Sequence, residues 1–173
     1  EGFEVFTPEY VSVNIDTQKP CGYWMKRLPK KSYPFIYLTD ASFVAQKEYD
    51  LEFILKLLKN FGAAINFLHQ NGMYIGDVSG TNVHFDEEGI VYIIDVDSNG
   101  IDEYKSVMYT SIFADPNAFT SETSMTTTPT TDWYSYAIIS FMSIFRAHPF
   151  KGIYFENVDG KCKVMKTEDR MKN

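Results

Sequence analysis

Gly76-Asp77-Val78-Ser79-Gly80-Thr81-Asn82-Val83, followed by Ile93-Ile94-Asp95-Val96-Asp97-Ser98, is the stretch of this 173-residue chain that decides its reading. Asp77 and Asn82 stand five residues apart, and Asp95 follows thirteen residues after Asn82. Val83 to Phe85 and Val91 to Ile94 read as short strands separated by a turn at Glu88-Gly89. Ile90, Val91, Ile93 and Ile94 are β-branched and suit a buried strand. A hairpin of this kind brings Asn82 and Asp95 side by side, just beyond Asp77.

Working outward, Leu51, Ile54, Leu55, Leu58, Phe61, Ile65 and Leu68 recur at three- and four-residue steps. This predicts an amphipathic helix from Asp50 to Gln70, capped by Asp50 and stopped at Asn71-Gly72. Upstream, Val11 to Ile15 and Gly22 to Leu28 read as strands joined by a turn around Gln18, Lys19 and Pro20. Pro29 to Pro34 reads as a connector. Met73 to Ile75 is a further short extended piece. Downstream, the Ser/Thr-rich Thr120 to Thr131 reads as loop. A second helix is predicted from Asp132 to Arg146, capped by Thr131 or Asp132. It is apolar on nearly every side and so is expected at the domain centre. His148-Pro149-Phe150 ends it. The tail from Ile153 onward is polar, and Thr167 to Asn173 reads as a helix start.

Composition sets bounds on function. Hydrophobic residues make up 45% of the chain and charged residues 23%, which is globular and excludes wholesale disorder. The longest uncharged apolar stretch, Trp133 to Phe145, has 13 residues and is too short for a bilayer. No charged-then-apolar leader opens the chain, and it does not begin with Met, so a piece of a longer protein is expected. Cys21 and Cys162 make no disulfide framework, which favours a reducing, cytoplasmic setting. The net charge of -7 is uneven. Residues 1–59 sum to zero and 105–173 to +1, whereas 60–104 hold eight acidic groups and no Lys or Arg. That segment repels polyanions, so nucleic acid is not expected as a partner, and it suits a hard cation; with no stretch long enough to span a bilayer, a membrane is not expected either.

These pieces together resemble the C-terminal lobe of the protein-kinase-like fold. The resemblance lies in the Asp77–Asn82–Asp95 spacing, the hairpin between them, and Asp132-Trp133 opening a hydrophobic helix. It covers most of residues 11–152. It implies an α+β fold: a mainly α-helical C-lobe with short β-hairpins around the catalytic loop, plus the last N-lobe strands and the hinge. It implies residues 1–30 as the end of the N-lobe with the hinge, and 31–173 as a partial C-lobe. It implies phosphotransfer from ATP to a hydroxyl of a protein or small molecule, of the Ser/Thr or atypical type, with Asp77 as the catalytic base. Asn82 and Asp95 would hold Mg2+. Met25, Lys26, Arg27 and Leu28 would lie against the adenine of ATP. Asp132 would tie its helix to the catalytic loop.

The sequence also departs from the family. The family's His-Arg before the catalytic Asp is here Ile75-Gly76, so control by a phosphorylated loop is not expected. The Lys two residues after it is Ser79, which looks more like the RIO-type and bacterial kinase-like proteins. Val96-Asp97 replace the Phe and Gly after the metal-binding Asp, and Ala114-Asp115-Pro116-Asn117 stands for the Ala-Pro-Glu. The Gly-rich loop and its partner lysine have no counterpart, which implies a fragment of a larger domain. Two other classes compete. One is a pseudokinase or scaffold module, favoured by the altered positions. The other takes Ile93-Ile94-Asp95-Val96-Asp97 as the Asp-x-Asp of a metal-dependent glycosyltransferase or the nucleophile strand of an aspartyl-phosphate phosphatase. Both of the latter want a parallel βα succession. Asp97 reads as a turn residue, Asp86, Glu87 and Glu88 as an exposed hairpin tip, His69 and His84 as incidental, and His148 as packing at a helix end.

Overall fold

The computed structural model describes residues 2–95, 99–101, 104–121 and 125–150, with the backbone alone of 155–158 and 161–164. It is a mixed α+β fold. Asp97 and the stretch 165–173 lie outside the described residues, so the readings made of them do too.

The long helix α2, Leu51–Gln70, follows from its pattern and its caps. Asp50 accepts from Phe53 N at 2.7 Å. At the other end Asn71 N donates to Leu68 O at 3.0 Å. The buried stripe is rotated from the expected one. Ile54, Leu57, Leu58, Phe61, Ala64, Ile65 and Leu68 are buried, whereas Leu51 and Leu55 are exposed. Before it lie a 3-10 turn, Phe35–Thr39, and the short helix α1, Ala41–Gln46, whose cap Asp40 accepts from Ser42 N at 2.8 Å.

Four strands make one sheet against α2. Their order is β1 (Phe3–Val5), β7 (Val91–Ile93), β6 (Val83–Asp86) and β4 (Ser32–Pro34). The β6–β7 hairpin is antiparallel, with Val83 opposite Ile93. β1 joins it in parallel, Phe3 to Val5 opposite Val91 to Ile93. β4 lies within the expected connector and pairs with β6; Pro34 is tolerated because β4 is an edge strand. Phe35 packs tilted against Phe61 and edge-on against Phe85, at ring distances of 5.3 and 5.5 Å, joining the sheet to α2 in one core.

The remaining strands pair two by two. β2 (Pro8–Val13) and β3 (Pro20–Met25) form a hairpin that starts earlier and ends earlier than the pattern predicts. Ile15 falls in its turn, and Lys26 to Leu28 run on beyond the ladder. β5 (Met73–Tyr74) pairs with β8 (Gly100–Ile101), and β9 (Phe155–Val158) with β10 (Lys161–Val164).

The helix α3 spans Pro129–Phe145, one turn earlier than expected. Thr128, not Thr131 or Asp132, is its cap. Thr131 N donates to Thr128 Oγ1 at 3.4 Å and Thr128 N to Thr131 Oγ1 at 2.9 Å, with Pro129 at the first helical position. It is not buried on all sides: Ile138, Ile139 and Met142 face the core, whereas Trp133, Phe141 and Phe145 are exposed. The hairpin tip is likewise more than a solvated turn. Asp86 accepts from Glu88 N and Ile90 N at 3.0 and 2.9 Å and from the Tyr92 hydroxyl at 2.6 Å. No described helix is long and apolar enough to cross a membrane.

Candidate functional site

The chain between β5 and β6 carries Asp77 and Asn82, and three supports hold it. The first is Asp132, fully buried on α3. Its Oδ2 accepts from Ile75 N at 2.8 Å and its Oδ1 from Gly76 N at 2.9 Å. His69 Nε2 lies 2.9 Å from Oδ2. Because Oδ2 is an acceptor for Ile75 as well, the ring nitrogen carries the proton and donates. Asp132 therefore fastens the turn before Asp77 to α2 and α3 at once. Gly76 sits at φ 76°, a left-handed conformation that glycine adopts without a Cβ penalty. His69 has a partner here that its isolated place in the sequence does not suggest.

The second support is internal. Ser79 is buried, and its Oγ accepts from Asn82 N at 3.2 Å and lies 2.9 Å from Thr81 Oγ1. Asn82 Nδ2 in turn donates to the Asp77 carbonyl at 3.1 Å and reaches its Oδ2 at 3.4 Å. The third comes from further along the chain: Thr110 Oγ1 donates to Asp77 Oδ1 at 2.8 Å. Each Asp77 oxygen thus has a donor, which fixes the carboxylate's orientation. Sequence reasoning missed Thr110, since no spacing marks it.

Asp95 follows β7. Ile94 N donates to Asn82 O at 3.0 Å, so the hairpin brings Asn82 and Asp95 to the same end. Asp95 has φ 63°. A non-glycine residue in that region is uncommon, and such residues concentrate at functional sites. Farther along, Asp115 caps a short 3-10 turn, Pro116–Ala118, by accepting from Asn117 N at 2.9 Å. His148, buried beyond α3, is 2.9 Å from Ile112 O.

A cavity of about 730 Å3 brings the other predicted residues together. Met25, Lys26, Arg27 and Leu28 line it, and so do Asn82 and Asp95. Phe6, Pro8, Tyr23, Met73, Ile94 and Ile101 make its walls mainly apolar. Asn99 also reaches it. Beyond the end of β3 at Met25, the backbone groups of Lys26, Arg27 and Leu28 have no backbone partners among the described residues. Lys26 pairs with Glu4 of β1, and that carboxylate beside it raises the ammonium pKa. Asp77 and Asp132 do not line the cavity; they lie behind its Asn82 end.

These donors suit a hard cation shared with phosphates. As ligand atoms Asn82 offers an amide oxygen and Asp95 a carboxylate, and Mg2+ is held by one or two carboxylates together with its substrate's phosphates. Among the described residues no three His, Cys, Asp or Glu side chains converge as a metal-holding group. A cation here would therefore need ligand oxygens to complete its shell. The sheets are antiparallel except for β1 on β7, so the parallel βα succession of the glycosyltransferase and phosphatase readings is not found among the described residues.

The fold is shared with known structures. One similar chain belongs to the crystal structure of the yeast RNA Pol II CTD kinase CTDK-1 complex. It is 18% identical with a TM-score of 0.62 over 86% of this chain, and this chain spans 47% of that one. At that identity the likeness concerns the fold alone. No family model and no curated protein matches the sequence.

Proposed function

We propose that this chain is the C-lobe part, with hinge, of a kinase-like domain that transfers the γ-phosphate of ATP to a hydroxyl in the presence of Mg2+. One observation carries the reading: a single cavity is lined by Met25 to Leu28 at one side and by Asn82 and Asp95 at the other. Its apolar walls and the backbone groups of Lys26 to Leu28, which run beyond the β3 ladder, suit a base, and the oxygens of Asn82 and Asp95 suit a cation on phosphates. In this reading residues 1–30 are the end of the N-lobe and the hinge, and 31–173 a partial C-lobe. Asp77, aimed by Thr110 and Asn82, takes the proton of the acceptor hydroxyl. Mg2+ would supply charge neutralisation on the phosphates, held by Asn82 and Asp95. The likeness to a chain of a kinase complex supports the fold on which this rests. The acceptor is the hydroxyl of a protein or a small molecule.

The test has two readouts. ATP is titrated onto the protein in MgCl2, and transfer of label from γ-labelled ATP is followed alongside. Asp95→Asn is expected to lose the Mg2+-dependent part of binding. Asp77→Asn is expected to keep binding and lose transfer. Unchanged nucleotide affinity in Asp95→Asn would overturn the assignment. Mg2+-dependent binding without any transfer would move the reading to a pseudokinase.

A further inference from the structure

The β2–β3 hairpin and the residues around it, Thr7 to Leu28, stand apart from the rest of the molecule. They supply one wall of the cavity: Tyr23 and Met25 line it from this side, Ile94 and Ile101 from the body. Yet none of their side chains forms or flanks the hydrophobic core. Almost every residue of the two strands is exposed, and two strands alone are marginally stable. The segment is anchored covalently at its ends. Phe6 N donates to Ile93 O at 2.8 Å, and Pro29 O accepts from Ser32 N at 3.2 Å. Between those ends, among the described residues, one polar contact joins it to the body: the Lys26 ammonium on the Glu4 carboxylate.

Glu4 is built into the body. Phe3 and Val5 pack on the core, so strand alternation sends Glu4 to the opposite face of β1. Lys26 is the first residue past β3 and lies in the stretch placed against the nucleotide base. Glu9 also acts on the Lys26 charge, but it stands on β2 and so ties nothing to the body. Exposed ion pairs add little to global stability, but no other polar contact shares this one's task. We propose that Thr7 to Leu28 form a flap over the cavity and that Glu4 is a positioning residue: by holding Lys26 it latches the flap and fixes the backbone of Lys26 to Leu28 against the base. This rests on the nucleotide reading above and adds to it the residue that sets the cavity's opening.

Trp24 reports the flap directly. It is 70% exposed on the strand face opposite Tyr23 and Met25, and Trp133→Phe leaves it the sole tryptophan. In that background, time-resolved anisotropy of the full chain should show a larger nanosecond motion of Trp24 in Glu4→Gln. Glu9→Gln should leave the motion unchanged, and Glu4→Lys combined with Lys26→Glu should restore it. About 0.5 M NaCl should loosen the parent and barely change Glu4→Gln. Calorimetric titration of ATP in MgCl2 is the second readout, and its sign is diagnostic. By charge alone, removing a carboxylate near the cavity strengthens the binding of an anion. Loss of the latch weakens it, by about twofold to fivefold, the range of one exposed pair, and the charge swap should recover the loss. Unchanged Trp24 motion in Glu4→Gln would overturn the proposal, as would unchanged or tighter ATP binding. If the parent binds no ATP, the nucleotide reading falls, while Trp24 still decides whether Glu4 latches the flap.

Discussion

Removing the Asp132 carboxylate should cost this protein a large part of its stability, and the loss should begin at one turn. Asp132 is 0% exposed and accepts from Ile75 N, Gly76 N and His69 Nε2 at 2.8 to 2.9 Å. In Asp132→Ala two backbone N–H groups are left without an acceptor, in a place water does not reach. Each orphaned donor costs about 1–3 kcal/mol, and dismantling one side of a buried charged network costs about 3–5 kcal/mol. We expect about 4 kcal/mol. With a urea m-value on the order of 2 kcal/mol/M, the midpoint falls by about 2 M. That is a large share of a typical total stability of about 5–15 kcal/mol, so the isosteric Asp132→Asn is the safer probe. Its amide can accept from one backbone N–H but must turn its own NH2 toward the other, for a cost of about 2–3 kcal/mol. His69→Phe in both backgrounds isolates the ring's share, which should be the smaller because His69 is partly exposed. Hydrogen exchange localises the effect: the Ile75 and Gly76 amides should exchange faster in Asp132→Asn before the core of α2 does. An Asp132→Asn midpoint within about 0.25 M of the unmodified protein would refute the reasoning, since it would mean the two N–H groups find other acceptors.

Two further outcomes are expected. Gly100→Ala should be destabilising by about 1–3 kcal/mol in urea unfolding, because its Cβ would meet the buried Tyr74 ring, and Tyr74→Leu should recover part of the loss; additive costs in the double variant would count against that contact. The pH dependence should turn on His84, whose pKa is lowered from 6.5, chiefly by burial, with a backbone hydrogen bond to Thr81 opposing. A group with a depressed folded pKa binds fewer protons in the native state, so its contribution is complete above pH 6.5 and is lost as pH falls through the folded value. Asp40 and Glu87 are also lowered, from 3.8 and 4.5, by hydrogen bonds from Ser42 and Lys47, so their windows lie below those values. Between pH 7.5 and 5 the urea midpoint should therefore fall, and His84→Gln should flatten that fall; an equal slope in the variant would remove His84 as the cause.

Which features were readable follows from the range of the forces that make them. The α2 helix was readable because one period of Leu, Ile and Phe recurs over five turns and Asp50 caps it locally. Its buried face is less legible, since Leu51-Ile54-Leu55 and Ile54-Leu57-Leu58 are equally good stripes on a helix alone. The sheet beneath chooses Leu57 and leaves Leu55 in solvent. The start of α3 is legible too, in a signal stronger than Thr131 or Asp132: Thr128 before Pro129, with Pro preset for the first helical turn and Thr128 to cap it. By contrast, Phe3 to Val5 carry no pattern that announces a parallel strand. They become one because β7 presents an open edge, brought to them from the far side of the chain.

The same division runs through the candidate site. Asp77, Asn82 and Asp95 could be read together because a hairpin converts sequence spacing into proximity, and strand alternation fixes which end each reaches. The groups that hold them could not. Thr110 reaches Asp77 from a segment without regular structure, and His69 reaches Asp132 from another helix. Nothing local distinguishes either from an ordinary surface residue. Residues that act by geometry relative to their neighbours in sequence are thus visible early. Those that act through desolvation, as His69 does against the buried Asp132 carboxylate, become visible only when the fold has removed the water.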